Sequence, residues 1–191
     1  MEEIPRRKGK KLLAVVVVTI VIVAAAIGAL ILWRPAATTT SGNGVGDAPY
    51  DFTLPDTNNV MWNLQSHIRN GKPILLEFIQ LNAAYCRMMA PILDQVQANY
   101  NIRIEIVSIA IKFEGGNFQD PPTLVSTAQA KSEMGSMWTY LFEETGTEVR
   151  DKYNVTAVPM FFLLGKDGRI AWAHAGAVDY GTLADQVEAI L

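Results

Sequence analysis

The sequence predicts an α/β domain, a mixed central sheet flanked by helices, behind a single N-terminal transmembrane helix. Three observations carry this. An uncharged apolar run fills Leu12–Trp33. Two strand-like runs, 74–81 and 102–111, alternate with segments of helical spacing. A Gly165-Lys-Asp-Gly168 turn joins two further strand-like runs near the C-terminus.

The apolar run is 22 residues long, enough to cross roughly 30 Å of hydrocarbon as a helix. Its β-branched stretch Val15–Val23 does not count against a helix, because in lipid only internal hydrogen bonding makes spanning workable. Arg6, Arg7, Lys8, Lys10 and Lys11 precede it and only Arg34 follows closely. That excess keeps 1–11 as a cytoplasmic basic tail and places the rest of the chain outside the cell membrane. A cleaved signal peptide is the rival, with Ala24-Ala25-Ala26 as an imitation cleavage site, yet the apolar run continues past it. Residues 34–47 are small, polar and glycine-rich, which reads as a flexible linker. Residues 48–191 remain, enough for one domain with a hydrophobic core.

Within the domain, Asp51–Pro55 reads as a short edge strand ended by proline, and Trp62–Ile68 as a short helical turn. Gly71-Lys72-Pro73 introduces ILLEFIQL, residues 74–81, a central buried strand with one acid. Met89, Ile92, Leu93, Val96 and Tyr100 recur at helical spacing over 86–100, with Pro91 expected to kink that helix. Ile102, Ile104 and Ile106 alternate with charges and open a second strand. A loop over 113–122 precedes a helix from Thr123 to Met134, and TYLFEETGTEV is a short extended piece followed by a helix to Tyr153. Met160–Leu164 and Arg169–His174 flank the hairpin turn, and Leu183, Val187 and Ile190 line a closing helix. The main order from Ile74 is β, α, β, α, β, β, α, a largely parallel sheet extended by an antiparallel hairpin.

Composition excludes several functions. From Pro35 onward 10 Lys or Arg face 17 Asp or Glu, a net of −7, so nucleic acid is not an expected partner. One cysteine rules out an internal disulfide. Two histidines and that cysteine, far apart, supply no expected metal site. Cu(I) on Cys86 with Met88 or Met89 is a weak alternative, since adjacent helix positions do not share a face. No cofactor-binding loop is present. Asn154-Val-Thr156 fits a glycosylation sequon.

Three local features then coincide: a strand running into a helix that carries Cys86, a Val158-Pro159 step leading into MFFLL, and the KDG hairpin. Together they resemble the thioredoxin-like superfamily, most closely its membrane-anchored TlpA/ResA-like redoxins, over about residues 48–191. The family's strand-to-helix junction reads roughly F-W-x-x-W-C-x-x-C-[KR] with a proline several residues on. Here the run is Phe78-Ile-Gln-Leu-Asn82-Ala83-Ala-Tyr85-Cys86-Arg87, then Pro91. The resemblance implies a thioredoxin-like fold, puts Cys86 on the resolving-cysteine position and puts Ala83 where the nucleophilic cysteine is missing. It makes Glu77 a candidate proton acceptor beneath the site. It makes Val158-Pro159 the cis-proline step, with Tyr85 and that step as substrate-binding residues.

The departure has a direct chemical consequence. Thiol–disulfide exchange begins with a thiolate attacking a disulfide sulfur, and alanine has no thiol. An intramolecular dithiol cycle is therefore impossible for this chain. Cys86 keeps three readings: a helix residue packed as a small hydrophobe, the remnant of a dithiol site, or a slow monothiol. Glu77 is either a carboxyl inherited from a thiol site or one whose tip reaches solvent or a base such as Lys72. Pro159 is either the peptide-facing cis-proline or a plain strand-opening proline. The leading functional expectation is a membrane-tethered extracytoplasmic protein of a thiol–disulfide exchange pathway, its dithiol site incomplete. Its partners would be protein thiols or disulfides, or an extended peptide. The alternative is a non-enzymatic peptide-binding or chaperone-like module. A peroxiredoxin-type peroxidase is disfavoured, because Ala83 and Ile79 stand where its threonine and proline would be.

Overall fold

A computed structural model describes residues 41–112 and 121–191. The apolar span 12–33 and most of the 113–122 loop lie outside the described residues. Among the described residues no helix is long and apolar enough to cross a membrane.

The domain is built on a five-stranded mixed sheet. Its strands are β5 (Ile74–Ile79), β6 (Glu105–Ala110), β7 (Thr139–Phe142), β8 (Met160–Leu164) and β9 (Ile170–Ala175), in spatial order β7-β6-β5-β8-β9. β5, β6 and β7 run parallel, while β8 pairs antiparallel with both β5 and β9. The predicted mixed sheet is thus present, with one addition. Thr139–Phe142, read as a short extended piece outside the main order, is an edge strand paired with Val107–Ala110.

The helices are α1 (Leu64–Ile68), α2 (Ala84–Tyr100), α3 (Leu124–Glu133), α4 (Glu148–Lys152) and α5 (Tyr180–Ile190). Alternation along β5 splits the core between two faces. Leu75 and Ile79 join Met89, Leu93 and Val96 of α2 and Leu183 and Val187 of α5. Ile74, Leu76 and Phe78 join Leu64, Val149, Tyr153 and Phe162 on the other face. Each fully buried leucine in these clusters contributes about 1.5–3 kcal/mol. α2 continues through Pro91, whose ring is exposed.

Two N-terminal expectations change. β3 (Thr53–Pro55) pairs antiparallel with β4 (Met61–Asn63), so Trp62 lies in a strand and the helix starts at Leu64. Side chains set that boundary: Asp56 Oδ1 accepts the Asn58 and Val60 amides at 2.8 Å each, closing the hairpin turn. Asn63 then caps α1 by accepting the Ser66 amide at 2.9 Å. The end of the expected flexible linker is also held. β1 (Ser41–Gly42) pairs with β2 (Ala48–Pro49). The Gly46 amide donates to Ile170 O at 2.8 Å and the Ile170 amide to Asp47 O at 3.0 Å. Backbone pairing onto β9, which composition does not reveal, holds this segment.

Candidate functional site

β5 ends at Ile79 and α2 begins at Ala84, with a tight turn closed by the Ala83 amide donating to Gln80 O at 3.0 Å. Ala83 is the N-cap residue, with extended backbone (φ −71°, ψ 125°) and no capping side chain. At α3 and α5 the same position holds Thr123 and Asp179, which do accept backbone amides. The first turn of α2 therefore presents amides that no side chain of its own cap satisfies.

Cys86 lies three residues inside this helix and points into the core, only 3% exposed, among Leu75, Ile79 and Met89. Burial pushes its pKa up to about 12, opposed by a hydrogen bond from the Gln80 backbone and reinforced by the charge of Glu77. At neutral pH it is a thiol, shielded from solvent, and so a poor nucleophile. Tyr85 is 64% exposed and Met88 60%, so one turn of α2 sends two large side chains outward while Cys86 and Met89 turn inward. Cys86 and Met88 do not face one another. Among the described residues no three His, Cys, Asp or Glu side chains group as a metal site.

Glu77 is buried in mid-strand on the same sheet face as Cys86, away from solvent, and among the described residues no basic side chain pairs with it. Register places it opposite Ser108 on β6 and Phe161 on β8. Ser108 Oγ donates to Glu77 Oε2 at 2.5 Å, and the Trp138 indole N–H donates to Ser108 Oγ at 2.8 Å. Among the described residues Glu77 Oε1 is buried without a hydrogen-bond partner. Burial raises the Glu77 pKa to about 8 despite the Ser108 bond. Tyr140, opposite Ser108 on β7, bonds Ser136 Oγ at 3.1 Å, and burial first, then the Glu77 charge, pushes its phenol pKa upward. Sequence reasoning missed Ser108, Trp138 and Tyr140. The one signal available was a serine inside the otherwise apolar run IVSIA.

The Val158-Pro159 peptide is cis. Pro159 directly precedes β8, one residue beyond the Phe78–Met160 pair, which brings it to the C-terminal end of β5 where α2 starts. Its carbonyl accepts the Gly176 amide at 2.7 Å. Pro159 is buried and Val158 half-buried. Val158 packs against the cluster that contains Cys86, as does Ala83. Ala83, Cys86 and Val158-Pro159 thus lie toward the C-terminal end of β5, with Glu77 two residues back along that strand and its charge felt at Cys86, and Tyr85 is exposed. Arg87 pairs with Glu133 at 3.0 Å and ties α2 to α3 beside them. The histidines lie elsewhere: His67 bonds Glu105 at 2.9 Å, and His174 stacks on Trp172.

The family model described as thioredoxin-like domain matches residues 62–191. No curated protein matches the sequence. Among solved structures, a candidate thiol:disulfide interchange protein DsbE from Chlorobium tepidum is 23% identical, with TM-score 0.65 over 77% of this chain and 97% of that one. A secreted Mycobacterium tuberculosis disulfide oxidoreductase homologous to E. coli DsbE is 23% identical, with TM-score 0.57 over 72% and 95%. The thioredoxin domain of a Bacteroides vulgatus thiol-disulfide oxidoreductase is 19% identical, with TM-score 0.59 over 78% and 99%. At these identities the likeness is one of fold.

Proposed function

The chain belongs to the thioredoxin-like domain family, and from that premise we propose that it serves an extracytoplasmic thiol–disulfide exchange pathway as a membrane-tethered module that binds its partner without cycling a dithiol. The partner is a protein thiol or disulfide, or an extended peptide, held at the Val158-Pro159 edge beside Tyr85. One observation carries the reading: the N-cap position of α2 holds Ala83, while Cys86, the lone thiol, is buried and kept protonated. The chemistry that starts an exchange is absent, whereas the proline-led strand end and the exposed rim that would hold a partner are present. Thiol–disulfide work named for the Chlorobium and Mycobacterium structures supports the pathway. The charge asymmetry around Leu12–Trp33 supports the tether, and the TlpA/ResA-like resemblance agrees with both.

Two measurements on the purified full-length protein test this together. Insulin disulfide reduction is expected to stay at the uncatalysed rate. A fluorescent, extended cysteine-containing peptide is expected to bind saturably, and Val158→Asp to weaken that binding at least tenfold. Turnover comparable to a dithiol thioredoxin would overturn the non-cycling reading. Peptide binding that is absent, or indifferent to Val158→Asp, would remove the proposed edge.

A further inference from the structure

Glu77 is the one buried acid whose second oxygen has no partner among the described residues. We propose that Ser108 and Trp138 are positioning residues for Glu77: together they hold Oε2 and leave Oε1 as the oxygen that takes up and releases the proton on the Cys86 face of the sheet.

The direction of each bond follows from donor chemistry. An indole N–H can only donate, so at 2.8 Å Ser108 Oγ must be its acceptor. The single hydroxyl hydrogen of Ser108 is donated to Glu77 Oε2 at 2.5 Å. Where Ser108 keeps that donation, Oε2 stays an acceptor and the neutral acid carries its proton on Oε1. Trp138 acts through Ser108, since without the indole the hydroxyl is free to rotate and to spend its hydrogen elsewhere.

The register makes this arrangement rigid. Tyr140, Ser108, Glu77, Phe161 and His174 form one row across all five strands. The titratable or charged groups that face Glu77 or lie along that row are few. Cys86 comes from α2, and Tyr140 from β7 with Lys131 of α3 6.0 Å from its ring centroid. Asp94 of α2 acts on Tyr140, and His174 stands at the far end of the row. Neutral donors, not a cation, hold Oε2. They favour the ionised form less than burial opposes it, so Glu77 titrates near neutrality rather than in the ordinary carboxylate range. Once ionised, its charge makes the Cys86 thiol still harder to deprotonate. The pair of positioning residues thereby sets the pH above which Cys86 is held most firmly as a thiol, whatever partner the module binds.

The test uses full-length protein carrying ¹⁵N-labelled tryptophan and ¹³C-labelled glutamate carboxyls. The Trp138 indole signal is assigned by its loss in Trp138→Phe, and the Glu77 carboxyl signal by its loss in Glu77→Gln. In the wild type both signals are expected to titrate together with a midpoint near 8. In Glu77→Gln the Trp138 titration is expected to vanish. In Ser108→Ala the Glu77 midpoint should rise by about one pH unit, as loss of a hydrogen bond to a charged group implies, and the Trp138 response should collapse. A purely structural role for Ser108 would leave the midpoint in place. Trp138→Phe provides the second route: the Glu77 midpoint should rise there too, by less. An indole signal that still titrates in Glu77→Gln, or a Glu77 midpoint unmoved in either Ser108→Ala or Trp138→Phe, would overturn the proposal.

Discussion

Ala83 and Cys86 bracket the first turn of α2, the one as its N-cap residue and the other three positions on with its thiol buried. Positions three apart on a helix share a face, and their separation there suits the roughly 5–6 Å between Cα atoms of a disulfide. Ala83→Cys is therefore expected to form an intramolecular disulfide with Cys86 under mild oxidation, read as a mass loss of two hydrogens. The introduced thiol, at the uncapped amides of the helix start, should ionise below the free value of about 8.5. Two free thiols persisting in the folded variant under a strong dithiol oxidant would show that the two positions do not face one another.

Topology gives the second prediction. Five basic residues stand before Leu12 and one, Arg34, directly after Trp33, and on the proposed tether this asymmetry is expected to direct the C-terminal domain outward. Protease added to intact cells, with any outer envelope permeabilised, should remove residues 48–191. Full protection after confirmed protease access would rule this orientation out.

The helix that flanks the site supplies a third. α3 opens with a reciprocal capping box: the Ser126 amide donates to Thr123 Oγ1 at 3.1 Å and the Thr123 amide to Ser126 Oγ at 2.9 Å. Thr123→Ala removes one half of it and should lower stability by about 1 kcal/mol, seen as a lower urea midpoint with an unchanged slope. An unchanged midpoint would mean that this end of α3 frays already in the wild type.

Much of this architecture was legible in the sequence, and the parts that were not share a cause. β5, α2, the hairpin strands and α5 announce themselves through unbroken apolar runs or helical spacing, whereas the roles expected of Cys86, Ala83, Glu77 and Pro159 rest on resemblance. Thr139–Phe142 has only four residues, too few for a periodic signal, and becomes a sheet strand only by pairing with β6. Met61–Asn63 depends on one aspartate folding the turn before it. Ser108 meets Glu77 across 31 residues of chain through strand register, and Trp138 reaches Ser108 across another 30. Local periodicity says which face a residue takes, but not which residue of another strand stands opposite.

The buried carboxyl makes the last prediction, a pH dependence whose sign is fixed by the direction of its shift. Glu77 ionises with a pKa of about 8 in the folded protein against 4.5 for the ordinary side chain. Between those values the folded state holds a proton that the unfolded state has released. Stability therefore falls as pH rises through this window, by ~1.4 kcal/mol per pH unit for one proton. The cost is absent below the lower value and complete above the upper one, with a ceiling of roughly 5 kcal/mol that relaxation of the buried site reduces. Glu77→Gln keeps the shape and the acceptor for Ser108 but cannot ionise. Its amide donors replace a carboxyl oxygen that has no partner among the described residues, so the variant should match the wild type or fall slightly below it at pH 5. It should overtake the wild type by pH 8, with the two stability curves crossing between. Cys86 and Tyr140 do not blur the comparison, because their ordinary pKa values, 9.0 and 10.0, already lie above this window and burial moves both further up. Urea denaturation of both proteins at pH 5, 6.5 and 8 measures the crossing. Parallel curves would mean that Glu77 is ionised throughout, and that the carboxyl has a stabilising partner other than Ser108.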